Sequence, residues 1–181
     1  MIPLILLLLA TGEPAEAQIV PMKVSGGTTR QTGRVSASSM TPLEKHFNAR
    51  LKSLFGADDE LDLLGNTRGV YVDNFGAVFT AEVSLVTTPS ITPFRSKIPK
   101  ELADSIRAKK VQRLPFLKAA MKEMLRNMAA TFIQVPESQQ MVLVVRFYYE
   151  PWEDMNGMPS QIAMRADRKG ALAGDVQVEE Q

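Results

Sequence analysis

The stretch 147–157 carries the densest set of side chains able to bind a ligand. It reads FYYEPWEDMNG and holds the chain's single tryptophan, two of its three tyrosines and three carboxylates. Aromatic rings beside polar groups form the rims of ligand pockets and the anchors of protein interfaces. The binding candidates in this stretch are Tyr148, Trp152, Glu150 and Asp154. In the alternative interpretation, Phe147 and Tyr149 belong to the core and Trp152 covers its edge.

A second candidate surface is the basic segment between Arg95 and Arg126. It contains ten basic and three acidic side chains, which gives it a net charge of +7. Lys118, Lys122 and Arg126 recur every four residues, a spacing that places them on one face of a helix. Such a stripe suits anionic lipid head groups, cell-wall polymers or an acidic patch of a protein. The alternative is an ordinary solvated helix face, and the scarcity of aromatic residues among the basic ones, with Phe116 alone between Arg95 and Arg126, disfavours nucleic acid as a partner.

Catalytic and metal-binding chemistry has few candidates in this sequence. The single histidine, His46, has neither a carboxylate nor a second metal ligand at helical spacing, so we expect it on the flank of a helix. The sequence contains no serine nucleophile elbow, phosphate-binding loop or dinucleotide fingerprint. A hydrolase needs only two carboxylates that meet in space, and the candidates for such a pair are Glu82, Glu150 and Asp154. The acidic run 58–62 lacks the spacing of a calcium loop, so we predict neither a metal nor a cofactor.

The first 17 residues, MIPLILLLLATGEPAEA, have the pattern of a secretory signal peptide. The apolar run 2–10 is too short for a membrane-spanning helix, which needs about 20 residues, but it has the length of a signal-peptide core. Small residues at Ala15 and Ala17 suit signal peptidase, so we expect cleavage before Gln18. The chain has no cysteine, which excludes disulfides, thiolate zinc sites and cysteine nucleophiles. We therefore expect an exported protein of the bacterial periplasm or cell exterior, with no membrane span after cleavage.

Residue patterns divide the remaining chain into three parts. A polar leader at 18–40, rich in serine, threonine and glycine and without apolar periodicity, is expected to be flexible. A single α+β domain follows at 41–170. Residues 171–181 are weakly patterned and acidic, and we expect a tail there.

The predicted order of elements in the domain is helix, two strands, long helix, two strands. A capping box at 41–44 starts the first helix, which spans 42–55. The later elements are a hairpin of strands 68–73 and 76–86, a proline-rich loop 87–99, a helical region from Lys100 to Phe132 in which Pro115 either opens a second helix or bends one helix, and strands near 141–149 and 161–167. This order predicts an α+β fold in which the helices pack on one face of a four-stranded, mainly antiparallel sheet.

By elimination, these observations favour a non-enzymatic exported module that binds an envelope protein or a second copy of itself. Exposed edges of the predicted sheet favour pairing with another chain, and the aromatic stretch 147–157 offers an anchor. A small-ligand carrier or sensor is the second hypothesis. A carboxylate-based hydrolase is the third.

Overall fold

Three helices and six strands form the part of the chain that the computed structural model describes, residues 35–56, 59, 61–94 and 97–181. In chain order they are α1 (Ala37–Lys52), β1 (Asp62–Leu63), β2 (Arg68–Val72), β3 (Gly76–Ser84), α2 (Lys100–Thr131), β4 (Gln140–Phe147), β5 (Gln161–Asp167), α3 (Arg168–Ala173) and β6 (Gln177–Glu180). The structure is therefore α+β, as predicted. The expected signal peptide at 1–17 lies outside the described residues, as does the expected leader apart from 35–40.

The six strands form one mixed sheet. Its strand order is β1-β3-β4-β5-β6, and β2 pairs with β3 as well. Every pairing is antiparallel except that of β3 with β4, which is parallel. The chain between these two strands contains α2, because a parallel pair needs a long crossover connection instead of a tight turn. The prediction of a four-stranded sheet was therefore wrong in strand number, and it did not include the parallel pair at the centre.

The two strands that the sequence did not predict lie at the edges of the sheet. β1 is two residues long and pairs with the end of β3. β6 lies in the segment 171–181, where we expected an acidic tail, and it pairs with β5 from Ile162 to Arg165. Val178 is the one apolar residue among its four. Hydrophobic alternation therefore could not mark this strand, which is held by its backbone pairing with β5.

The capping box at 41–44 predicted that the first helix begins there, but α1 begins earlier, at Ala37. Met40 is buried in the turn before Pro42. Its burial offsets the backbone hydrogen bond that the proline removes from the helix. Glu44, the expected capping residue, instead accepts a hydrogen bond of 2.7 Å from the backbone N–H of Gly69 in β2. This side chain therefore ties α1 to an edge strand of the sheet.

The second helix, α2, is one continuous helix of 32 residues that passes through Pro115. The proline is exposed, and it does not end the helix. Apolar residues recur along this helix at spacings of three or four and form a buried stripe, whose members on α2 are Leu114, Leu117, Met121, Leu125 and Met128. This stripe joins the core formed with the sheet, in which α2 contacts β4 and β5.

Alternate residues of the strands face opposite sides of the sheet. On the core side, Phe79, Leu143 and Met164 are buried together with residues of α1 and α2. The ring of Phe47 from α1 meets the ring of Phe79 edge to face, with 5.0 Å between their centres. The other side carries mostly exposed or partly exposed side chains, among them Val70, which is 55% exposed. The core therefore lies between the helices and one side of the sheet.

Candidate functional site

Strands β3 and β4 are parallel, so their carboxyl ends lie at the same end of the sheet. One loop leaves the sheet after each of these strands. The first loop, after β3, contains residues 87–94, and the second loop, after β4, contains residues 148–158. We call these two sets of residues together the loop end. Crevices outside the carboxyl ends of parallel strands are common ligand sites. Ser90 Oγ donates a hydrogen bond of 2.9 Å to Glu150 Oε1 and so joins the two loops.

A buried ion pair fixes the second of these loops to α2. Lys110 Nζ lies 2.8 Å from Oε1 and 2.6 Å from Oε2 of Glu153, and the two side chains are 1% and 6% exposed. Glu153 Oε1 also accepts the backbone N–H of Glu150 at 2.9 Å. The Lys110 ammonium lies 4.8 Å from the centre of the Tyr149 ring. Charges this far from water are stable only with such a set of partners, so the pair holds the loop in one conformation.

Arg107 of α2 binds the tip of the same loop. Its Nη1 donates to the backbone oxygen of Asp154 at 2.7 Å and to Oδ2 of that residue at 3.1 Å. Its Nη2 donates to the backbone oxygen of Asn156 at 2.5 Å. A guanidinium has donors in a fixed fork, which suits several acceptors at once. Arg107 and Lys110 therefore hold the loop at two points from one side of α2.

A third basic residue of α2, Arg113, is buried beside Leu85, which follows the end of β3. It donates to the backbone oxygen of Leu85 and, at 2.9 Å, to that of Asp59, and it forms an ion pair with the Asp59 carboxylate. Its guanidinium lies 4.2 Å from the centre of the Phe55 ring. The hydrogen bond from Lys109, followed by that from Arg113, lowers the pKa of Asp59. One carboxylate of the acidic run thus neutralises basic residues of α2.

The packing around Tyr149 changes the pKa of its phenol. Burial, and then the charge of the Glu153 carboxylate, raise the pKa of its phenol from 10.0 to about 12. Its hydroxyl donates to the backbone oxygen of Pro159 at 2.8 Å. The unfolded chain therefore releases this proton at a lower pH than the folded chain. The phenol's contribution to stability is present below pH 10.0 and is lost as the pH rises to about 12.

We expect an ultraviolet titration of the folded protein to show a tyrosine step near pH 12, the pKa given above for Tyr149. The substitution Tyr149→Phe should remove this late step, because it removes the buried phenol. Tyr148→Phe is the matched control and should leave the late step in place. A late step that persists in Tyr149→Phe would show that this phenol is not the buried group.

The four binding candidates in the aromatic stretch have different surroundings. Tyr148 is 40% exposed at the loop end. Trp152 is partly buried, and its indole N–H has no hydrogen-bond partner among the described residues. Glu150 and Asp154 accept the hydrogen bonds given above from the neighbouring loop and from α2. The two carboxylates therefore stabilise the loop.

The basic stripe is partly neutralised. Lys118 forms an ion pair of 2.6 Å with Glu180 of β6. Lys122 and Arg126 are exposed, and neither forms an ion pair within the described part of the chain. Two of the three predicted residues are therefore available to an anionic partner.

The remaining candidates lie apart from these contacts. Glu82 is exposed on β3, on the side of the sheet opposite to the core. His46 is exposed on α1 beside a groove of about 400 Å³, which Leu43 and Ala130 line. In residues 35–56, 59, 61–94 and 97–181, no three histidine, aspartate or glutamate side chains are grouped to hold a metal ion.

Three exposed apolar side chains at the loop end were not singled out from the sequence. Phe94 is 102% exposed, Ile91 is 50% exposed and Met155 is 44% exposed. A signal for the first two was available, because apolar residues in a proline-rich loop have no strand or helix of their own to bury them. Like Tyr148, they are exposed apolar or aromatic side chains on the two loops of the loop end.

None of the three described helices combines the length and the apolar composition that crossing a bilayer requires. Comparison of the chain with protein-family models, curated proteins and solved structures finds no match. The function therefore has to be inferred from the geometry and chemistry of the site.

Proposed function

We propose that this chain is an exported binding module that holds a protein partner of the cell envelope at the loop end. The observation that carries the proposal is that exposed apolar side chains lie on the second loop, which α2 fixes, and on the first loop, which Ser90 joins to the second through Glu150. Lys110 and Arg107 hold the second loop through the contacts described above. Binding then does not have to order the loop, so less of the interaction energy is lost to conformational entropy.

The exposed side chains indicate the chemistry of the partner. Tyrosine and methionine are enriched at the centres of protein interfaces, and the loop end presents Tyr148 and Met155. Phe94 and Ile91 are exposed on the neighbouring loop, which the hydrogen bond between Ser90 and Glu150 joins to this one. In this proposal the four side chains act together as one apolar patch, the kind of exposed surface that marks interaction sites. The partner should therefore present an apolar surface, with few charges at its centre.

The basic stripe on α2 supplies a second, weaker contact in this proposal. Lys122 and Arg126 are free to meet an anionic surface of the envelope, whereas Glu180 already neutralises Lys118. Each basic side chain near an anionic lipid surface contributes about 1 kcal/mol, and salt screens this contribution. The stripe therefore adds local concentration at the envelope, and the loop end adds specificity.

Photocrosslinking in intact exporting cells tests the proposal. A photoreactive phenylalanine analogue replaces Phe94 in one variant of the full chain and Tyr148 in a second variant. We expect both variants to crosslink to the same protein of the envelope, with a yield about tenfold above the control, because a specific apolar interface excludes water at its centre. The control carries the analogue at Leu172 of α3, which is 38% exposed.

The same variants also separate specific from adventitious contact. The substitution Met155→Asp places a charge in the apolar surface and should abolish the crosslink from both positions. Equal yields from Phe94, Tyr148 and Leu172, or a crosslink that survives Met155→Asp, would contradict a binding site at the loop end. A crosslinked species of twice the chain mass would identify the partner as a second copy.

A further inference from the structure

A groove lies between the first half of α1 and the end of α2. Its first part, about 400 Å³ in volume, is lined by Pro42, Leu43, His46, Asn127, Ala130 and Thr131. A second part of about 300 Å³ adjoins it, because Leu43 and Thr131 line both, and continues past the end of α2 along Ile133. We call the two parts together the helix groove. Small-molecule sites have volumes of about 300–1,000 Å³, so the helix groove can hold such a molecule.

The lining of the helix groove is mostly apolar. Leu43 is partly buried and packs against the core, whereas Ala130 and Ile133 are exposed. The short side chain of Ala130 leaves space beside α1 that a longer side chain would fill. Sites for small molecules combine such an apolar lining with a few polar groups that fix the orientation of the ligand. The helix groove therefore suits an apolar chain.

One end of the helix groove has no charged side chain. The lining residues other than His46 belong to the segments 35–43 and 127–136, which contain no acidic or basic residue. The end of the groove at Ile133 therefore offers no charged partner to a ligand, and only an apolar group fits there.

The other end of the helix groove lies beside a basic side chain. Arg126 precedes Asn127 and lies one turn before Ala130, on the same face of α2. It forms no ion pair within the part of the chain that the structure describes. Glu123, on the preceding turn, is already paired with Arg50 of α1 at 2.9 Å. Arg126 is therefore free to bind an anion.

We propose that the helix groove binds a fatty-acid anion. The acyl chain lies along Leu43 and Ala130 towards Ile133, and the carboxylate lies at Arg126. A guanidinium binds a carboxylate through two parallel hydrogen bonds, and the side-chain amide of Asn127 at the same end is a further donor. A cationic head group would instead meet a like charge. The inference concerns a surface apart from the loop end and does not rest on the function proposed above.

The length and the openness of the groove set the expected chain length and affinity. The lining residues of α1 run from Ser39 to His46, a rise of about 10 Å at about 1.5 Å per residue. This distance suits an acyl chain of medium length. Because the groove is open to solvent along one side, part of the chain stays in water, and binding also has to order the chain. We therefore expect a dissociation constant in the millimolar range.

Amide chemical shifts of the isotope-labelled full chain, titrated with octanoate at neutral pH, test the inference. We expect saturable shifts in the segments 39–46 and 127–134, with a dissociation constant in the millimolar range. Acetate has the head group without the chain, and octyltrimethylammonium has the chain with a positive head group. Each should bind about tenfold more weakly than octanoate or worse, because each lacks one of the two contacts.

Three substitutions on α2 locate the site. Ala130→Glu fills the groove and places a carboxylate beside the expected head group, so it should abolish octanoate binding. Ala119→Glu makes the same change at an exposed position outside the groove, and it should leave the dissociation constant within about twofold of the wild-type value. Arg126→Gln should weaken octanoate binding about threefold to tenfold without weakening that of octyltrimethylammonium. Circular dichroism establishes that each variant is folded.

Several results would overturn the inference. They are shifts that grow without saturation, shifts that centre outside these two segments, and octanoate binding that survives Ala130→Glu. Equal binding of octanoate and octyltrimethylammonium would show that no basic group selects the head group. Loss of octanoate binding in Ala119→Glu as well would contradict a site in the helix groove.

Discussion

Replacing Lys110 with alanine is expected to lower the free energy of unfolding by about 3–5 kcal/mol, the cost of breaking a buried ion pair by removing one partner. The Glu153 side chain is 6% exposed and would keep a charge that water cannot reach. The substitution also removes the contact between the Lys110 ammonium and the Tyr149 ring. Chemical denaturation at neutral pH, followed by circular dichroism, measures the change.

The neighbouring residue provides a matched control for this prediction. Lys109 pairs with Asp59, but the two side chains are 42% and 45% exposed. Lys109→Ala should therefore cost about 1 kcal/mol or less, since exposed ion pairs contribute little. The double variant Lys110→Met with Glu153→Leu removes both charges, and it should be much closer to wild type than Lys110→Ala. Equal losses for Lys109→Ala and Lys110→Ala would contradict the structural role of the buried pair.

The burial of Lys110 and Arg113 on α2 was the main property of the site that was not predicted from the sequence. We grouped Lys110 and Arg113 with the solvated basic segment because of their charge alone. Their spacing held a signal, since each lies four residues before a member of the apolar stripe, Leu114 or Leu117. Residues at this spacing share one face of a helix. A charge at such a position predicts a buried ion pair, although its partner comes from a distant loop that the sequence does not identify.

Elements with strong hydrophobic periodicity could be predicted from the sequence. Elements that depend on which strands pair with one another could not. The hairpin of β2 and β3 was expected from residue alternation around 73–76, and its turn contains Asn74 with φ 64° and Gly76 with φ 135°. The parallel pairing of β3 with β4 depends on the route of α2 across the sheet, and residue alternation does not record that route. β6 depends on an open edge of β5 and not on its own residues. The segment that we expected to be a tail therefore contains a strand, and this strand places Glu180 beside Lys118.

The members of the aromatic stretch were predicted together as binding candidates, but their surroundings in the structure differ. Tyr148 is exposed, as expected of a contact residue, whereas the acids beside it are held by hydrogen bonds. Sequence places Glu150 and Asp154 next to the aromatic rings, but it does not show Ser90 or Arg107, which come from other parts of the chain. Three-dimensional partners therefore decide which side chains in such a loop are free.

Replacing Gly76 with alanine is expected to destabilise the protein by about 3–5 kcal/mol or to prevent folding, since two separate penalties apply. The residue has φ 135°, a conformation that L side chains rarely adopt. A Cβ atom at this position would also overlap the backbone carbonyl oxygen of Gln140, its partner in the parallel pair. The strand β4 would have to move away from β3 at the start of their pairing. Chemical denaturation and the yield of folded protein measure the effect.

Gly65 separates the two penalties, because it also has a positive φ, 89°, but no atom lies within 4 Å of the position that a Cβ would occupy. Gly65→Ala should therefore cost only the strain of the backbone, about 1–2 kcal/mol. The difference between the two variants measures the close approach of β3 and β4. If Gly76→Ala were no more destabilising than Gly65→Ala, the two strands would not be in contact at this glycine. The parallel pair that brings the two loops of the loop end together would then begin further along the strands.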